Sequence, residues 1–269
     1  MPTARADTYS AASGGGIFAG ANGNARVAIW GQSNAVGRSE RSEIAESPLS
    51  ADAELAAYDA GTFARVWIWT GSAYTQLQPS VFTGPTNNAG QFGAEFGLAV
   101  RWMRERATGH LYIDKNCDGA LSITEFAPPS STWYANGTTE RGQADAWLGT
   151  AGVSIALEAM LWIQGEQDAA QSQAWYETRL SDMVAAARSD GIIGAASVVV
   201  LSQMHPSTST YGAGVAAAKT AYADANPSIV TELGMPYYVS DNIHLSGRGM
   251  VQHGYDAFRA IFGGEQINV

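Results

Sequence analysis

A serine, an aspartate and a histidine in this chain have the types and spacing for acyl transfer. Ser33 lies in Val27-Ala28-Ile29-Trp30-Gly31-Gln32-Ser33-Asn34-Ala35, an apolar run followed by Gly and small polar residues, and Asp241 precedes His244 in Asp241-Asn242-Ile243-His244. Serine-based hydrolysis needs a nucleophile, a base near it, a group that orients the base and donors for the developing oxyanion. Ser33 can be the nucleophile, His244 the base and Asp241 the orienting carboxylate. The Asp-x-x-His spacing lets one turn present both side chains to a pocket. Each piece also has a plainer account: Gly, Ser and Asn are ordinary turn formers, and a histidine before a helix can be a hydrogen-bonded loop residue. A third stretch, Trp162-Ile163-Gln164-Gly165-Glu166-Gln167-Asp168, offers an amide, a Gly and acids after an apolar run. Its acids suit either a pocket rim with backbone donors nearby or a helix cap. For Glu166 and Asp168 the residues leave both readings open.

The elements that must position these groups follow from periodicity. Strands are expected at Ala25–Trp30, Arg65–Trp69, His110–Ile113, Met160–Ile163, Val198–Leu201 and Tyr237–Ser240, with a hairpin partner at Ala73–Leu77. Helices are expected around Ala51–Ala57, over Gln91–Arg106, from Asp168 onward, over Tyr211–Ala225 and over Ser246–Phe262, with a short one at Asp145–Leu148. Ser80–Gly90 reads as loop and Asp114–Thr139 as a long irregular crossing that contributes to a pocket wall. Apolar strands alternating with helices give a mainly parallel sheet covered on both faces, a three-layer α/β/α sandwich. In such a sheet the strand ends that precede Ser33, Gln164 and His244 open onto one side.

Composition narrows the setting. At 269 residues with 46% hydrophobic and 10% aromatic content, the chain supports one sizeable core. Residues 1–24, rich in Ala, Gly, Ser and Asn, read as a flexible tail or linker, and 25–269 as the domain. A formal charge of -10 without a Lys/Arg-rich block argues against nucleic acid and leaves a neutral sugar ester or a polar cell-surface polymer as partner. Cys117 is the single cysteine, which excludes an intramolecular disulfide and a cysteine-based metal cluster. The start has no apolar signal-peptide core, and nothing reaches membrane-spanning length. The linker-like beginning is compatible with part of a larger polypeptide, in an extracellular or virion-associated setting.

One competing motif lies in the crossing. Asp114, Asn116, Asp118, Gly119 and Glu125 follow the spacing of a calcium-binding EF-hand loop. That motif asks for flanking helices, whereas His110–Ile113 reads as strand and Pro128-Pro129 cuts short an exiting helix, which favours a plain pocket-forming loop. Trp67, Trp69, Trp147 and Trp175 are read as packing before sugar platforms. His205 follows a strand end and borders the pocket, and Asn136-Gly137-Thr138 has the glycosylation spacing.

Three ordered blocks, IWGQSNAVG, MLWIQGEQDA and SDNIHLSGRG, carry a resemblance that runs from about Val27 to Phe262. The chain resembles the SGNH or GDSL hydrolase superfamily, most closely its sialate O-acetylesterase-like and acetylxylan-esterase-like branch, carbohydrate esterase family 6. The resemblance implies a flavodoxin-like α/β/α fold and a metal-independent serine esterase that removes acetyl groups from sugars through an acyl-enzyme. It implies Ser33 as nucleophile and Asp241 and His244 as the rest of the triad; Gln32, Asn34, Gly165 and Glu166, beside these blocks' key residues, are candidate supporting or pocket residues. It also implies an oxyanion hole from the Ser33 N–H, the Gln164 amide and a glycine N–H. For that glycine Gly119 is preferred, although Asp118 and Ala120 depart from the family pattern, and Gly93 in QFGAEFGLA is the fallback. The alternatives are a short-chain ester or lipid hydrolase, and a carbohydrate-binding attachment module with an inert triad.

Overall fold

In a computed structural model of the chain, the structure describes residues 23–46, 52–78, 91–128, 131–206, 209–227, 230–233 and 241–263. The strands are β1 (Asn24–Gly31), β2 (Ser39–Glu40), β3 (Val66–Trp69), β4 (Tyr74–Gln76), β5 (Gln91–Phe92), β6 (Leu111–Cys117), β7 (Ile155–Ile163), β8 (Val198–Ser202) and β9 (Val230–Leu233). The helices are α1 (Ser33–Val36), α2 (Asp52–Asp59), α3 (Ala94–Glu105), α4 (Thr132–Thr150), α5 (Gln173–Ser189), α6 (Ala213–Ala225) and α7 (Gly247–Phe262). Among the described residues the main sheet has the order β4-β3-β6-β1-β7-β8-β9, parallel except for the β3–β4 hairpin at its edge.

β1 is the apolar run Asn-Ala-Arg-Val-Ala-Ile-Trp-Gly, and it takes the centre because both of its faces can be buried. Val27 and Ile29 pack with Phe96, Leu98 and Val100 of α3 and with Met250, Val251 and Phe258 of α7. Ala28 and Trp30 point the other way, into a cluster with Tyr176, Leu180, Met183 and Val184 of α5 and Val215 of α6. Helices thus cover both faces, as the alternating pattern implies. In α7 the apolar positions fall on one side, Ser246 caps the start by accepting from the Gly249 N–H, and Gly263 at φ 80° ends it.

The structure departs from the sequence reading in the crossing. β6 continues through Asp114 to Cys117, a 3₁₀ turn follows at Ile123–Phe126, and α4 occupies Thr132–Thr150, absorbing the expected short helix at Asp145–Leu148. α4 has little apolar periodicity because polar contacts hold much of it down. Arg26 of β1, buried, reaches Asp145 of α4 at 2.6 Å and Asp114 of β6 at 2.9 Å, and Tyr74 hydrogen-bonds Asp114. The strand expected at Tyr237–Ser240, the loop at Ser80–Gly90 and most of the 1–24 tail lie outside the described residues; the described last strand is Val230–Leu233.

At the carboxyl end of β1, Gly31 adopts φ 140°, and a Cβ there would be driven into the Ile163 carbonyl of β7. Gly31→Ala combines strained backbone with a clash against main chain, so a loss of at least about 3 kcal/mol is expected. Urea unfolding followed by circular dichroism checks it.

Candidate active site

Ser33 opens α1 directly after the Gly31 turn. The Gln32 N–H still donates to the Ile163 carbonyl at 3.0 Å, and the next residue begins the helix, so Ser33 stands at the carboxyl edge of the sheet's central strand. The Gln32 side-chain oxygen accepts from the Gln167 N–H at 3.1 Å, tying this turn to the one after β7. Beneath α1, Lys115 donates to the Val36 carbonyl at 2.8 Å and pairs with Glu95 at 2.9 Å, both side chains buried.

Asp241 and His244 form the expected pair: one Asp241 oxygen lies 2.7 Å from His244 Nδ1. The other accepts the backbone N–H groups of His244 at 2.7 Å and Ile243 at 3.1 Å. Partial burial pushes the Asp241 carboxyl up, but the His244 ring and these two N–H groups outweigh it and hold the carboxyl below its ordinary value. The imidazole is about a quarter exposed, at 24%. Asn34 joins the two halves of the site. Its side-chain nitrogen donates to the Ile243 carbonyl at 3.3 Å, and its oxygen accepts from the Leu245 N–H at 3.1 Å. The residue after Ser33 therefore brackets the backbone of His244 on both sides. Glu166 accepts from the same Asn34 nitrogen at 2.9 Å.

Gln164 ends beside this group, with its side chain turned into the protein. Its nitrogen donates to the Leu121 carbonyl at 3.0 Å and to Asp168 at 2.6 Å, and its oxygen accepts from Tyr176 Oη at 2.6 Å. Both amide hydrogens are committed, so donation to an oxyanion would require release of one of them. Asp168 also accepts from the Ser122 hydroxyl and the Ile123 N–H, each at 2.7 Å. Its role is to moor the loop after β6 rather than to cap α5, whose first turn is capped by Ser172. The Asp118 N–H donates to the Gly31 carbonyl at 3.3 Å, which sets Gly119 next to the Ser33 turn. The Gly119 N–H points to Asp118 Oδ1 at 2.7 Å, and the Gly93 N–H to Glu95 Oε1 at 2.8 Å. Gly165 turns the chain after Gln164 at φ 150°, and His205 lies half-buried past the end of β8.

The residues with EF-hand spacing form neither a calcium loop nor, at 114–117, the plain loop favoured above. Asp114 and Asn116 lie in strand β6, the Asp114 carboxylate is taken by Arg26 and Tyr74, and Asn116 donates to the Trp133 carbonyl. An extended strand cannot wrap these donors around one ion, and no cluster of metal-ligating side chains occurs among the described residues. Asn136 of the glycosylation pattern falls within α4.

Sequence reasoning missed a buried serine–histidine contact. Ser202 Oγ, at the end of β8, lies 2.8 Å from His253 Nε2 of α7. Both are buried, and Lys219, also buried, donates to the Ser202 and Gln164 carbonyls. Burial first and the Lys219 charge second push the His253 pKa down to about 3. An imidazole so weakly basic, shut from solvent, suits packing and not proton transfer at neutral pH. The signal for Lys219 was its register: four residues after Val215, it shares the buried face of α6.

The fold and the grouping at the strand ends define an α/β sandwich of the flavodoxin-like hydrolase type. Residues 27–262 match the family model described as carbohydrate esterase, sialic acid-specific acetylesterase, and the chain belongs to that family. It is a serine-type carbohydrate O-acetylesterase, a carboxylic ester hydrolase whose substrate is an acetylated carbohydrate. Three solved structures share its fold. A protein from Arabidopsis thaliana is 17% identical with a TM-score of 0.64, covering 89% of this chain and 98% of its own. NanS is 13% identical with a TM-score of 0.58, covering 88% and 96%. A carbohydrate acetylesterase from Xanthomonas citri is 16% identical with a TM-score of 0.56, covering 91% of this chain and 58% of its own. No curated protein matches the sequence. No helix among the described residues is long and apolar enough to cross a membrane.

The buried histidine carries a pH dependence. In the unfolded chain His253 titrates near the ordinary 6.5, while in the fold it stays neutral to about 3. Between these values the unfolded state takes up a proton that the folded state refuses. Stability should therefore fall as pH drops from about 6.5, by at most about 1.4 kcal/mol per pH unit from this group. His253→Gln should show a shallower fall over the same window when urea-unfolding free energies are compared.

Proposed function

We propose that Ser33, His244 and Asp241 carry the deacetylation as nucleophile, general base and orienting carboxylate. The observation that supports this most is the Asp241–His244 pair at 2.7 Å on a loop whose backbone is bonded on both sides by the residue next to Ser33. Ser33 Oγ attacks the acetyl carbonyl while His244 Nε2 takes its proton. Asp241 on Nδ1 fixes the tautomer and stabilises the imidazolium. His244 then returns the proton to the departing sugar oxygen, leaving acetyl-Ser33. A water gives its proton to His244, attacks the acyl-enzyme and releases acetate, and the proton returns to Ser33.

The developing oxyanion meets the Ser33 N–H at the start of α1, where intrahelical partners are lacking. Gly119 is the better second donor. Its N–H is held by its neighbour Asp118 on a half-buried loop, whereas the Gly93 N–H is locked onto a buried carboxylate that is itself paired with Lys115. Gln164 serves first as the anchor of the loop that carries Gly119, through Leu121 and Asp168. Gln32 and Glu166 hold the turns on either side. The description of the family names sialic acid, which makes O-acetylated sialic acid the first sugar to test, beside acetylated xylan and bacterial polysaccharide.

Ser33→Ala should lower kcat on an aryl acetate by on the order of 10⁶-fold, while Ser202→Ala keeps the same order of activity as the parent. The reverse result would move the nucleophile to Ser202. Asp241→Asn should cost about 10⁴-fold through the wrong tautomer. Acetate release from the three glycans, compared with simple acyl esters and with a binding assay on Ser33→Ala, ranks the sugars. Hydrolysis of acyl esters without any release from glycans would count against the sugar assignment.

A further inference from the structure

We propose that Asn34 is a positioning residue that sets the distance between Ser33 and His244, and that Glu166 holds Asn34 in the orientation this requires. The inference rests on the triad reading above and adds what keeps its two halves in register. Ser33 follows β1, whereas Asp241 and His244 stand on the turn that leads into α7, so no local geometry relates them. The Asn34 side chain bonds the Ile243 carbonyl and the Leu245 N–H, the two groups that flank His244, while its own backbone is peptide-bonded to Ser33. This is a rigid bracket: one residue on the Ser33 side, and one on each side of the histidine. Ser39 adds a second tie by donating to the Leu245 carbonyl at 2.7 Å.

The amide must be oriented for both contacts, with nitrogen toward Ile243 and oxygen toward Leu245. Glu166 imposes that orientation, because a carboxylate accepts from the Asn34 nitrogen and would repel its oxygen. Asn34 and Glu166 are both buried. The second Glu166 oxygen has no hydrogen-bond partner among the described residues. Burying a carboxylate so sparsely bonded is costly, and the side-chain bond it does make goes to Asn34 rather than to the backbone of its own 3₁₀ turn. A role confined to capping that turn would predict the opposite.

A displacement of about 1 Å at a catalytic group can cost about 10²-fold in rate. Asn34→Asp keeps the acceptor for Leu245 but faces Glu166 with a like charge and removes the donor to Ile243. It should lower kcat by about 10²-fold with KM within a few-fold. Adding Glu166→Gln restores a donor–acceptor pair with the roles exchanged, the introduced amide nitrogen donating to the new carboxylate, and should recover at least about tenfold of kcat over the single variant. Thermal unfolding and near-ultraviolet circular dichroism monitor folding. If Asn34→Asp fails to fold, Asn34→Ala, which adds no charge, gives the same readout of kcat against KM. An Asn34 variant with the kcat of the parent overturns the proposal. So does a folded double variant no better than Asn34→Asp, or a loss confined to melting temperature. Ser33→Ala in the same assay separates the two readings: an active Ser33→Ala overturns the nucleophile assignment, while an inactive one beside a fully active Asn34 variant overturns this inference alone.

Discussion

The chain must leave the sheet at Gly31, and the rest of the site depends on that exit. β1 is paired on both sides up to this residue, with Cys117 of β6 opposite and Ile163 of β7 on the other flank. Both neighbours end opposite this residue, and the backbone turns out of the sheet at φ 140°. Only glycine adopts that conformation at little cost, and only glycine fits against the Ile163 carbonyl. Ser33, the proposed nucleophile, is placed by this steric constraint, before any chemistry of its own is considered. The side chains that follow, Gln32 toward Gln167 and Asn34 toward the His244 turn, take directions that the exit fixes.

Two buried ammonium groups hold the strand ends around this turn. Lys115 reaches the Val36 carbonyl at the end of α1, and Lys219 reaches the carbonyls of Gln164 and Ser202 at the ends of β7 and β8. Carbonyls that run out of backbone partners need donors, and a lysine can bridge more than one of them. The arrangement is costly to make, since a buried charge loses its hydration. Lys115 has Glu95 at 2.9 Å to offset that loss. Removing one partner from such a pair leaves the other charge unpaired, at about 3–5 kcal/mol. The posts are rigid for the same reason that they are expensive.

Legibility in the sequence followed the apolar content. β1, β3, β7, β8, α3, α5 and α7 announce themselves by runs and periodicity, and together they define the parallel sandwich. α4 did not, because Thr132–Thr150 is held partly by Arg26 on Asp145, and an ionic anchor leaves no periodic trace. For the same reason the spacing around Asp114 admitted a calcium loop as the lesser reading: a carboxylate spaced among polar residues reads identically whether it awaits an ion or an arginine. At the site, Asp241 and His244 were legible because a three-residue turn joins them. The partners of Gln164 were not, since Tyr176, Leu121 and Asp168 converge from three separate segments. Sequence leaves Asp168 between rim and cap, and the fold gives it a third part, the mooring of the 121–123 loop.

The contact between Ser202 and His253 and the proposed pairing of Ser33 with His244 differ in setting, and the contrast says what a reactive pair requires. Ser202 and His253 meet at 2.8 Å, a contact as good in length as any catalytic one. Yet His253 is enclosed, and a nearby lysine opposes its protonation. Such a histidine is a hydrogen-bonding wedge between β8 and α7. His244 sits in the opposite environment: partly open, with a carboxylate on Nδ1 whose own ionised form is favoured by the ring and two backbone donors. A carboxylate so held is available to stabilise an imidazolium, and solvent access lets substrate and water reach it. Proximity of serine to histidine does not by itself make a reactive pair. The difference lies in exposure and in the carboxylate on the ring, and it is on that ground that the proposal places the chemistry at the mouth of the sheet beside Ser33.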